Sequence, residues 1–236
     1  MDMFDGLYGY EVVLLVLGAV FFVALAIVLL YQIVQGKPYA GLLAFFAVPI
    51  AMMGFSGIQK IQFQNGAISI ERYTQQLQAD PTNAALRNNL QQQVAALASR
   101  PTSNPAALTN IAKAQFALGH HAAAAATLGK VVQGGQPPPE ARALGQRIQL
   151  DRDLVSLTSE VEQHPSDTAA KQKLQAAVTQ AASLHIASPV LLAHLANAHA
   201  ALGDQAKALT LVQTALKIKP ELAEAKQLQS RLATRP

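Results

Sequence analysis

The chain has 236 residues, a formal net charge of +4 and no cysteine, which excludes disulfide frameworks and thiol chemistry. Lys and Arg are scattered among Asp and Glu without a basic stripe or interleaved aromatics, so no nucleic-acid partner is expected.

The first sixty residues are apolar. Glu11 is followed by no Asp, Glu, Lys or Arg until Lys37, and Lys37 by none until Lys60. Each gap exceeds the ~20 residues that a helix needs to cross a hydrocarbon core. The runs EVVLLVLGAVFFVALAIVLLYQIV and GLLAFFAVPIAMMGFSGIQKI predict helices over about 11–34 and 40–61, in a membrane unit over 1–64. Tyr10 and Tyr31 would stand about 31 Å apart at ~1.5 Å per residue, the spacing of two interfacial anchors. Pro49 removes a backbone donor and predicts a kink. Gln35-Gly36-Lys37-Pro38 is the only polar break between the runs, so a tight antiparallel hairpin follows. The first run is long and lacks a basic leader and a small-residue cleavage site, which favours a retained anchor over a signal peptide. Gly41, Gly54 and Gly57 would permit close helix contact, within the hairpin or with another membrane subunit.

Charge sets the expected orientation. The leading tail carries Asp2, Asp5 and Glu11 and the tight loop Lys37, against Lys60 and Arg72 beyond the second run. The short acidic tail favours outward termini, which places the rest of the chain on the periplasmic side of a bacterial inner membrane.

From about Ile68 onward, Ala, Gln, Leu and Lys dominate, with breaks at Asp80-Pro81, Pro101 to Pro105, Gly119, Gly134 to Pro139, Pro165, Ser188-Pro189, Gly203 and Pro220. Helix after helix is predicted, with no strand. Long helices are expected over Pro138 to His164 and Ser166 to Leu184, with counterparts at 68–79 and 82–99. Such short, Ala-rich helices must bury their apolar stripes against neighbours. A shift of 84 residues superposes two segments without a gap: Pro81 on Pro165, Leu90 on Leu174, Pro105 on Pro189, Leu108 on Leu192, Leu118-Gly119 on Leu202-Gly203 and Arg147 on Arg231. The aligned Pro and Gly punctuation indicates a duplication, with copies at about 66–149 and 150–233 inside a domain over 65–236.

In the second copy, PVLLAHLANAHAALGDQAKALTLVQTALKIKP resembles a tetratricopeptide repeat, with Leu192, Leu195 and Ala196 on the first helix, Gly203 in the turn, Ala208 on the second and Pro220 at its end. The first copy repeats the pattern with Leu108, Ala112, Gly119 and Ala124. Small residues suit the helix crossing, and Gly the left-handed end of the first helix. The resemblance implies an all-α protein: a transmembrane hairpin followed by a right-handed α-solenoid of the tetratricopeptide kind, with a concave face that takes a protein or peptide partner.

No catalytic motif stands out: there is no GxxxxGK[ST], GxSxG or HExxH. No catalytic, cofactor or metal residue is expected, and none of the six histidines is read as a ligand; His194 and His199 are five apart and His120 and His121 adjacent. Tetratricopeptide domains grip extended peptides with amide and cationic side chains on the first helix of each repeat. That resemblance makes Asn110, Lys113, Phe116, His194 and Asn197 the candidate partner-binding residues, although Thr109 and Ala193 stand where the family carries a carboxylate-gripping Lys. The expected function is a non-enzymatic adaptor at a membrane surface, with lipid held by residues 11–61. Two rivals are an assembly chaperone like the tetratricopeptide component of cytochrome c maturation, whose membrane helices flank a longer loop, and an accessory subunit of a larger membrane complex.

Overall fold

The computed structural model describes residues 6–35, 40–184 and 188–234, and the backbone alone of residues 40, 56 and 60. Among the described residues there are helices and no strand: α1 (Gly9–Val34), α2 (Ala40–Phe45), α3 (Ala47–Ala79), α4 (Ala84–Ala98), α5 (Pro105–Ala117), α6 (His121–Gln133), α7 (Pro139–Gln163), α8 (Thr168–Ala182), α9 (Pro189–Ala201), α10 (Gln205–Ile218) and α11 (Ala223–Ala233). They form two compact units, one of Met1–Ile68 with Ala96–Asn104, the other of Ser69–Ala95 with Pro105–Pro236. The division therefore falls four residues beyond the expected 64/65 boundary. It returns residues 96–104 to the first unit.

Two helical stretches are long and apolar enough to cross a membrane, Gly9–Val34 in the first unit and Gly41–Ala79, which begins there, and only 6% of the most apolar window of each is buried. Val13, Leu17, Val20, Ile27 and Leu30 all stand exposed. A solvent that welcomes such a surface is hydrocarbon rather than water. Glu11 folds back on the start of α1 and accepts from the Tyr8 backbone N–H at 2.9 Å, completing a capping box that occupies one of the orphan donors of a helix start. The second stretch breaks at Phe46 between α2 and α3. Pro49 lies three residues on: it has no N–H to offer the Phe45 carbonyl, and its ring crowds that oxygen.

The helices of the hairpin approach at a glycine other than those expected. A Cβ at Gly18 would meet Pro49 O at 3.2 Å and Met53 Cγ at 3.1 Å, whereas Cβ atoms at Gly41, Gly54 and Gly57 would have nothing within 4 Å. The expected close-contact role therefore passes, within the hairpin, to Gly18. Phe22 and Phe46 pack edge-on nearby at 5.2 Å. Of the expected break Gln35-Gly36-Lys37-Pro38, Gln35 closes α1, while residues 36–38 and the tail residues Asp2 and Asp5 lie outside the described residues. Rather than ending near 61, α3 continues to Ala79, because no breaker intervenes; Gly66 is tolerated where Leu97 Cδ1 would stand 2.7 Å from an added Cβ.

The second unit is built of antiparallel helix pairs. α5 packs on α6, α9 on α10, α7 on α8 and α9, and α10 on α11. Gly119 (φ +84°) and Gly203 (φ +88°) turn α5 into α6 and α9 into α10 in the left-handed conformation, which glycine adopts without a Cβ penalty. At each, the following N–H reaches back to the helix: His120 N–H to Gln115 O at 2.8 Å, and Asp204 N–H to His199 O at 2.9 Å. Asp167 caps α8 by accepting from the N–H groups of Ala169 and Ala170. The expected packing residues Leu108, Ala112, Ala124, Leu192, Leu195, Ala196 and Ala208 are all buried, the alanines at the crossings where a larger side chain would push the helices apart. Pro220 follows the end of α10 and is itself exposed. Displaced by 84 residues, the bounds of α4 fall on those of α8, and those of α5 on α9.

Candidate functional site

Two grooves on the second unit are lined by corresponding helices. The first, about 270 Å³, lies among the end of α3, α5 and the start of α7, and is lined by Glu71, Thr74, Asn110, Lys113, Glu140 and Arg147 among others. The second, about 310 Å³, lies among the end of α7, α9 and α11, with Val155, Thr158, His194, Asn197, Glu224 and Arg231 in the same places. Every residue lining the first has its counterpart 84 positions on in the second.

Four of the five candidate residues line these grooves, Asn110 and Lys113 the first, His194 and Asn197 the second. Phe116 does not. It is 7% exposed and stacks on the His121 ring with centroids 4.4 Å apart, so the expectation that it faces a partner is corrected: its helical position points to the core. Thr109 and Ala193 are buried too, and the Thr109 hydroxyl donates to Pro105 O. Both grooves mix charge. Asn110 Nδ2 donates to Glu71 Oε2 at 3.4 Å, and Arg231 Nη2 to Asn197 Oδ1 at 2.7 Å, with Nη1 3.5 Å from Glu162 Oε1. These side chains offer amide, cationic and carboxylate partners of the kind that bond an extended backbone and its charged termini.

Beside the second groove stands a cluster absent from the sequence-based expectations. Asp151, buried on α7, accepts from His121 Nδ1 through one oxygen and from His194 Nδ1 through the other, each at 2.6 Å. The three donor sets come from α6, α7 and α9, all within 4.8 Å of one another. Separations of 2.6 Å are those of charge-assisted hydrogen bonds, so a proton occupies each gap and Asp151 is a shared acceptor. Burial raises the Asp151 carboxyl, but the hydrogen bonds from His121 and His194, with their charges, bring it to about 2. For His194, burial favours the neutral ring, yet the hydrogen bond and charge of Asp151 and the nearby Glu224 hold its pKa above the ordinary value.

His121 Nε2 lies 2.8 Å from Ser188 Oγ, so Asp151, His121 and Ser188 are connected in the order of a nucleophilic triad. The serine is nevertheless in a structural position. It is 2% exposed, accepts from Leu191 N–H as the cap of α9, and precedes Pro189, which has no N–H to stabilise an oxyanion. His121 and His194 are thus partly packed and share one acceptor, a connection that the sequence did not indicate. His199 keeps to its own turn, 3.5 Å from Asp204, and burial, the leading influence, lowers it.

Sequence spacing did not reveal the cluster because 30 residues separate His121 from Asp151 and 43 separate Asp151 from His194. A weaker signal was present: Asp151 sits in the buried stripe Leu144, Ile148, Leu154 and Val161 of α7, where an ionised side chain demands partners. Thr158, on that stripe and in the second groove, is 2% exposed with no partner for its hydroxyl. Comparison with protein-family models, with curated proteins and with solved structures finds no match for this chain.

Proposed function

We propose that this protein is a membrane-anchored, non-enzymatic adaptor in which a hairpin of α1 and α2–α3 holds a solenoid of the tetratricopeptide kind, built of two 84-residue copies, at the outer face of a bacterial inner membrane. Each copy contributes one groove, and the grooves take extended segments of a protein partner. The observation that carries this reading is the position-for-position correspondence of the two groove linings. Drift after a duplication preserves the core wherever packing demands it, but it has no packing reason to retain Glu and Arg at matched places in an open groove, as at Glu140 and Glu224 and at Arg147 and Arg231. The exposed apolar surface of α1 supports the anchor.

The test is co-purification from native membranes with the full chain in detergent. Charge reversal in both grooves, Arg147→Glu with Arg231→Glu, should abolish capture, while replacement of the hairpin by an unrelated membrane anchor should preserve it. The opposite pattern would make the protein a docked subunit of a membrane complex and end the adaptor reading. A reporter active only outside the cytoplasm, fused after residue 236, should be active; silence there reverses the orientation.

A further inference from the structure

The second groove carries a pair that the first lacks. His194 stands where the first groove has Asn110, and Glu224 where it has Glu140. His194 Nδ1 faces Asp151 Oδ1 at 2.6 Å, and Nε2 faces Glu224 Oε2 at 3.4 Å. In the metal-free protein Asp151 and Glu224 favour the protonated His194 ring; a metal ion that displaces the Nε2 proton meets a lone pair there, with Nδ1–H still held by Asp151. Nε2 and the Glu224 carboxylate face each other across a gap that holds a proton or, in its place, a metal ion. Two donors 3.4 Å apart, each about 2.1 Å from a shared centre, subtend about 108° there, the angle of tetrahedral zinc.

We propose that the second groove binds a divalent transition metal of the zinc type through His194 Nε2 and Glu224 Oε2, with Asp151 as the outer carboxylate that fixes the imidazole. One imidazole nitrogen with one carboxylate oxygen suits zinc, cobalt or nickel better than magnesium or calcium. The histidine–carboxylate pairing at Nδ1 is the usual support of a ligating imidazole, setting its tautomer and raising its basicity. Thr158 also lines this groove, and its hydroxyl, buried from solvent, has no partner. The open coordination positions face the groove, where water or a donor side chain of the bound segment completes the shell. Only this last role rests on the groove reading; binding of the metal by the isolated chain does not.

The experiment is competition for Zn(II) between a chromophoric chelator and the full chain in detergent. Wild type should bind one equivalent at this site. Glu224→Gln and His194→Gln should each weaken it at least tenfold, Asp151→Asn should weaken it ~10–100-fold as outer-ligand losses do, and the first-groove control Glu140→Gln should leave it unchanged. The Glu224 side chain is 60% exposed, so its variant folds, as its melting curve will verify, and decides the matter even if the Asp151 variant does not fold. Binding indifferent to Glu224→Gln and His194→Gln overturns the proposal, as does an NMR titration in which the His194 ring takes up a proton but its signals ignore Zn(II). If zinc binds as described while groove charge reversal leaves partner capture intact, the metal site stands and the adaptor reading falls.

Discussion

Thr74 and Thr158 occupy the same place in two grooves 84 residues apart, yet only Thr74 has its hydroxyl bonded, to Ile70 O at 2.7 Å. An unpartnered buried hydroxyl costs about 1–3 kcal/mol, while a made hydrogen bond contributes about 1. Thr158→Val should therefore leave stability unchanged or raise it by about 1 kcal/mol, and Thr74→Val should lower it by about as much. Thermal or denaturant unfolding of the two variants side by side checks the difference in sign.

The Asp151 cluster predicts an asymmetric pH profile. The folded pKa of Asp151 is about 2 against an ordinary 3.8, so its contribution is complete above 3.8 and is lost as pH falls toward 2. His194 is raised above 6.5; its contribution is complete below 6.5 and is lost as pH rises through the folded value. The stability difference between wild type and His194→Gln should be largest between about pH 4 and 6.5 and shrink on the alkaline side. A difference that grows with pH would refute the imidazolium between Asp151 and Glu224.

Within the first unit, Arg100 Nη2 donates to Gln59 Oε1 at 2.6 Å and Nη1 to Gly6 O at 3.2 Å, with Nη1 3.7 Å from the buried Glu11 carboxylate. Its guanidinium also lies over the Tyr8 ring, 5.4 Å from the centroid. Arg100→Gln should destabilise the protein by about 3 kcal/mol, since a buried carboxylate loses its cation. Adding Glu11→Gln should recover part of that loss. The double-mutant cycle, read from melting in detergent, should give a favourable coupling; strict additivity would show that the pair does not interact.

Gly119 and Gly203 share a left-handed φ but not their surroundings. A Cβ at Gly119 would meet Val190 Cγ2 at 2.8 Å, whereas at Gly203 it would meet nothing within 4 Å. Gly203→Ala should lower stability by about 1–2 kcal/mol from backbone strain alone, and Gly119→Ala by more. Equal losses in urea titrations would mean that α9 yields to the added methyl group.

The 84-residue offset was legible because Pro and Gly punctuate helices through local chemistry, and the observed bounds of α4, α5, α8 and α9 obey it. The division near residue 64 was less so: hydropathy marks where an apolar run ends, but α3 runs on to Ala79 because a helix needs a breaker, not a change of polarity, to stop. Groove residues Asn110, Lys113, His194 and Asn197 were named through the resemblance to tetratricopeptide repeats, and they line the grooves. Phe116 did not, because spacing along one helix cannot tell which apolar residue a second helix will cover.

By itself the sequence determined the helical class, the two long uncharged stretches and the repeated helix ends, since each depends on residues within a few turns of one another. Only the tertiary structure decided that Gly18 is the close point of the hairpin, that Arg100 reaches Glu11, and that His121 and His194 meet on Asp151. Those relationships join residues 30 to 89 positions apart, and the free energy that selects them comes from burying charge and apolar surface between helices, which no local pattern encodes.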